Sequence, residues 1–74
     1  MILVYSNQKN IIIAFDHKIK KAVVHIKDMN DELIEILTLT DTDFKKINVA
    51  KNIRQVKLKI ETENEIIRKK ILLT

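Results

Sequence analysis

None of the 74 residues is glycine and none is proline. Glycine is the ordinary residue wherever a chain turns through positive φ, because it has no Cβ to clash. A chain without it must reverse direction on residues that carry side chains. The segment VVHIKDMNDELIEI, residues 23–36, poses the problem directly. Val24 and Ile26 alternate with His25 and Lys27, the polar run Asp28-Met29-Asn30-Asp31 follows, and Leu33, Ile34 and Ile36 resume the apolar pattern. That is the layout of two strands joined by a turn, with Asp and Asn standing where glycine is usual. Their short side chains bond to the local backbone and tolerate the left-handed region best after glycine.

The same period of two recurs along the chain. Val56, Leu58 and Ile60 alternate with Lys57, Lys59 and Glu61, and Ile47 and Val49 flank Asn48. Such alternation marks strands with one buried face. Ile11-Ile12-Ile13-Ala14-Phe15 is a continuous apolar run, as expected at a sheet centre. Polar breaks at 7–9, 16–21, 28–31, 41–43, 50–52 and 63–64 then delimit seven strands, 2–6, 10–15, 22–27, 32–39, 44–49, 54–62 and 65–73. This rhythm predicts an all-β single domain over 1–74, a small antiparallel sandwich or barrel. The expected core is Val24, Ile26, Ile34, Ile47, Val49, Val56, Leu58 and Ile60.

Composition narrows the function classes. Cysteine is absent, so there is no disulfide framework and no thiolate chemistry. No apolar run approaches the roughly 20 residues of a membrane-spanning helix, and the first residues do not form a signal peptide. The net charge of +4 permits contact with phosphate, anionic surfaces or acidic proteins without selecting among them. Lysine outnumbers arginine twelve to two. Lysine is a poor bidentate reader, which disfavours sequence-specific nucleic-acid recognition.

Two longer segments resemble a known family. KAVVHIKDMNDELIEI is similar to a strand, a "D-L-N-G-K" turn and a strand opening on two aliphatics. KINVAKNIRQVKLKIETENEIIRKKILL resembles a closing hairpin with an "ETENG"-like tip and a last lysine-aliphatic strand. This is the layout of the C-terminal sorting domain of type IX secretion cargo and of related small secreted immunoglobulin-like domains, and it covers about Val4 to Leu73. The resemblance implies an immunoglobulin-like antiparallel β-sandwich of about seven strands. It implies a non-enzymatic interaction module, secreted or at the cell surface, recognised through its terminal strands. The partner would be a protein, either the export machinery or a second copy joined at an edge strand. Asp28 and Asn30 match the turn's "D-x-N". Asp31 and Glu65 stand where the family has glycine, so Asn30-Asp31 and Asn64-Glu65 are expected to carry left-handed backbone.

Candidate sites are few. Asp28, Asn30, Asp31 and Glu32, with Asp41 and Asp43, offer oxygens, but a calcium loop needs 6–8 of them and often a glycine to wrap. They read as turn formers, and no metal or other cofactor is expected. His17 and His25 lack metal spacing, and His25 is expected on a solvent-exposed strand face. No Ser-His-Asp arrangement is compelling. The candidate partner-binding residues are Lys57, Lys59, Arg68, Lys69 and Lys70, in which Lys57, Lys59, Arg68 and Lys70 form a basic stripe across one hairpin. No aromatic interleaves with it for base stacking, so a basic domain binding nucleic acid or an anionic surface is the alternative reading. Lysines on exposed strands also discourage edge pairing.

Overall fold

The computed structural model describes residues 1–73; Thr74, the last residue of the expected domain, lies outside them. The chain is all-β, with strands β1 (Ile2–Asn7), β2 (Asn10–Lys27), β3 (Leu33–Asn48), β4 (Gln55–Thr62) and β5 (Ile66–Leu72). They form one antiparallel sheet curled into a half-barrel. β2 organises it. Its first half pairs with β1, its second half pairs with β4 on that same side, and β3 runs along its other side for nearly the whole length. β5 completes the sheet beyond β4. Curling brings β1 to β5, where the Ser6 hydroxyl donates to the Leu72 carbonyl at 2.7 Å.

The count of five differs from the seven strands expected, and a single curled sheet stands where two stacked sheets were expected. The expected strands 10–15 and 22–27 are two halves of β2, and 32–39 and 44–49 are two halves of β3. The polar runs between them bend the strands without ending them. Between Ala14 and Ile19 the register against β3 shifts, with four residues of β2 facing one of β3. Such a bulge bends a strand and increases its twist. Asp41, at φ 49°, lies at the same level of β3.

The core fills the inside of the curl. Of the eight residues expected there, Val24, Ile26, Ile47, Val49, Val56, Leu58 and Ile60 are buried, joined by Ile11, Ile13, Phe15 and Leu39. Burying each such side chain contributes about 1.5–3 kcal/mol. Ile34 is the exception, at 39% exposed. Ile26 pairs with Glu35 and Lys27 with Leu33, so Ile34 falls in a second bulge and has no cross-strand partner.

The turns use three different devices in place of glycine. Asn7 pairs with Asn10 across Gln8 and Lys9, at φ 49° and 69°. Two positive φ values in a two-residue loop match the right-handed twist of the flanking strands. At the β2–β3 turn, the Asp28 carboxylate accepts from the N–H groups of Asn30 and Glu32 at 2.8 and 3.0 Å. Asp31 closes it at φ 65°, where the resemblance has glycine. The β4–β5 turn departs from expectation, since neither Asn64 nor Glu65 has positive φ. There the Thr62 hydroxyl accepts from the N–H groups of Asn64 and Glu65 at 3.2 and 3.1 Å, and this side-chain bridge replaces a left-handed residue.

Candidate functional site: a basic face and an open edge

Two surface features stand out, and both follow from strand order. The first is the outer face of β2, β4 and β5. Val24 and Ile26 point into the core, so His25 and Lys27 point out; the same alternation in β4 turns Lys57 and Lys59 outward. Register then lines these residues into two rows. Lys27, Lys57 and Lys70 form one, and His25, Lys59 and Arg68 the other. The four residues of the expected stripe are therefore brought together, and Lys27 and His25 join them. Lys69 does not. It pairs with the buried Leu58 and so has the opposite parity, yet it also borders the groove that these rows enclose.

These rows bound a shallow groove of about 460 Å³, with Asp31 reaching over one end. Like charges directly opposite one another are destabilising, and two carboxylates offset them. Asp31 Oδ1 accepts from Lys57 Nζ at 2.9 Å, and Glu61 lies 3.7 Å from Lys59. The hydrogen bond from Lys57, and then its charge, hold the Asp31 carboxyl below the usual carboxylate range. Among the described residues Lys27, Arg68 and Lys70 have no carboxylate partner.

His25 is half-buried rather than solvent-exposed, and its Nδ1 is shut off from solvent without a hydrogen-bond partner. It occupies the central strand between Ile36 and Lys59. His17 is exposed and lies 2.7 Å from the Asp16 carboxylate, which also holds the Met1 ammonium at 2.9 Å. The acidic residues expected as turn formers act as such at Asp28, whose carboxylate is taken up by backbone N–H groups. Among the described residues no three His, Cys, Asp or Glu side chains converge as a metal site would require. No helix among them is long and apolar enough to cross a membrane.

The second feature lay outside the expected site residues. Among the described residues β3 pairs only with β2, so its far edge has no strand partner among them from Leu33 to Asn48. Along that edge Leu33, Ile36 and Phe44 are 52%, 51% and 51% exposed, and Ile34 stands beside them. An edge strand presents a row of free N–H and C=O groups to any extended chain. The aliphatics of residues 33–36 are visible in the sequence, but with Ile34 expected in the core, and alternation alone could not say which strand would lack a neighbour.

No family model matches this chain, and no curated protein matches it. The likeness to sorting domains thus stands on the quoted segments alone.

Proposed function

We propose that this chain is a non-enzymatic interaction module that takes an extended segment of a protein partner as an added strand along β3. The observation that carries the reading is the long unpaired edge of β3 with its exposed Leu33, Ile34, Ile36 and Phe44. Strand addition draws affinity from backbone hydrogen bonds and specificity from alternate side chains. The resemblance to type IX sorting domains supports an export machinery as the partner and the cell surface as the setting. It puts recognition on the terminal strands, whereas the geometry favours β3. β5 is also an edge, but it is less than half as long, β1 approaches it at Ser6 and Leu72, and Arg68, Lys69 and Lys70 separate its exposed Ile66 and Leu72.

The test is selection of binders from a random library of extended peptides, followed by amide shift mapping. Selected peptides should perturb β3 amides and lose binding to Ile36→Lys and Phe44→Lys variants. Perturbations confined to β4 and β5 would overturn the assignment to β3.

A second reading is favoured by one specific observation. Six cations, Lys27, Lys57, Lys59, Arg68, Lys69 and Lys70, line the groove of β2, β4 and β5 with one carboxylate, Asp31, while Glu61 lies beside Lys59. That arrangement suits a phosphate-bearing or otherwise anionic ligand. The absence of aromatic residues from the groove lining weighs against base stacking.

A further inference from the structure

The edge of β3 carries more than exposed backbone: one opposite-charge pair lies at equal distances from its middle, while Asp41, Asp43 and Lys46 have no such counterpart. Glu35 lies near one end and Lys45 near the other, with Thr40 midway between them. Glu35 stands opposite Ile26 and Lys45 opposite Ile13, so both project on the core side of the sheet. Ile36 stands opposite His25 and Phe44 opposite Ala14, so both project on the outer side. Among the described residues neither Glu35 nor Lys45 takes part in an ion pair.

We infer that the occupant of this edge is a second copy of the chain, its β3 running antiparallel to the first in the register centred on Thr40. This rests on the reading of β3 as a docking edge and names the partner. A two-fold interface must be complementary to itself, and this register meets that requirement at three pairs. Glu35 of each copy meets Lys45 of the other, Ile36 meets Phe44, and Thr38 meets Thr42. Glu35 with Lys45 and Ile36 with Phe44 join residues on matching faces.

Neighbouring registers fail. Centring on Asp41 sets Asp41 directly against its own copy, and centring on Leu39 sets Glu35 against Asp43. Any half-step between them pairs core-side residues with outer ones, because the side-chain period is two. The costs of the chosen register are the diagonal approach of the two Asp41 carboxylates, the diagonal approach of Asp43 to Glu35, and the placing of Asp41 opposite Leu39 and Asp43 opposite Leu37. The product is one continuous sheet in which the exposed Ile36 and Phe44 are covered.

The experiment is sedimentation equilibrium over micromolar to near-millimolar protein, on wild type, Glu35→Lys, Lys45→Glu and the double exchange, with circular dichroism to verify folding. Wild type should form a dimer. Each single exchange creates two like-charge pairs per dimer and should weaken association roughly tenfold. The double exchange restores opposite charges and should recover wild-type affinity within a few-fold. A monomeric wild type throughout, single exchanges without effect, or a double exchange that fails to rescue would each overturn the inference. The peptide mapping separates the two levels. A monomer whose β3 still captures peptides loses the second copy but keeps the docking edge. A monomer whose β3 captures none loses both.

Discussion

The two long edges of this sheet are built to opposite specifications. β5, with its neighbour β4, carries Lys57, Lys59, Arg68, Lys69 and Lys70. β3 carries Leu33, Ile34, Ile36 and Phe44, with lysine only toward its far end. Charged lysines on an edge resist pairing with another chain, and exposed aliphatics invite it. One sheet therefore guards one edge and leaves the other available. The difference teaches that Arg68, Lys69 and Lys70 of the β5 edge have a sufficient reason to be there without any anionic ligand, which Lys57 and Lys59 of the internal β4 do not share.

The comparison is broken most severely from beneath. Leu58 is buried under the basic face, and Leu58→Ala should cost about 2–5 kcal/mol in urea unfolding through lost transfer energy and a residual cavity. That loss should be the same at any protein concentration. Ile36→Ala on the open edge should cost no more than about 0.5 kcal/mol in dilute solution. Its cost should grow with protein concentration if a second copy covers it.

A salt series with single-stranded and duplex oligonucleotides tests whether the guarded edge is only guarded. Engagement of Lys57, Lys59, Arg68 and Lys70 with phosphates would give a slope of log K against log salt of about −3. The expected result is weak attraction that vanishes near physiological salt, from general positive charge. Submicromolar binding at that salt, abolished by Lys57→Glu/Lys59→Glu, would promote the basic groove to the principal site.

The turns give a smaller contrast. Asp31 and Gln8 sit at positive φ, so Asp31→Gly and Gln8→Gly should each stabilise by up to about 1 kcal/mol, less the added entropy of the unfolded chain. Asp31→Gly also loses the exposed contact to Lys57, so its gain should be the smaller of the two. Glu65→Gly should give no gain, because Glu65 has no positive φ to relieve. Thermal melts of the three variants decide the order.

The smallest effect is a titration. Asp31 is held below the ordinary Asp value of about 3.9. Its pairing with Lys57 therefore contributes stability above that value, lost as pH falls through the lower folded pKa. A carbon-detected titration should show the Asp31 midpoint rising toward the ordinary value in Lys57→Met. An unchanged midpoint would mean the contact does not persist in solution.

Strand positions were legible because burial on one face imposes a period of two, and seven of the eight expected core residues are buried. Continuity of the long strands was not. In β2 the core-facing residues are Ile11, Ile13 and Phe15 before the bend, and Ala22, Val24 and Ile26 after it. The phase changes from odd to even across Asp16–Lys21, which in a sequence looks like a turn and in the molecule is a bulge. The basic rows were legible from alternation within one hairpin, whereas Lys69 sat on the wrong parity. His25 and the β3 edge were not legible, since both depend on which strands become neighbours. Pairing between Ala22 and Thr62 is long-range, and no local pattern encodes it.

The double use of β2 also sets an order of assembly. Its pairing with β3 closes across a short turn, as does β4 with β5, so each hairpin has a small loop to close. The seam between β2 and β4 joins Ala22 to Thr62 and must wait until the intervening chain has been drawn in. Proteins dominated by such distant pairings fold in milliseconds to seconds, where single hairpins form in microseconds. If the seam closes last, Val24→Ala would chiefly hasten unfolding in a chevron experiment, and the bent central strand would be the clock of the whole molecule.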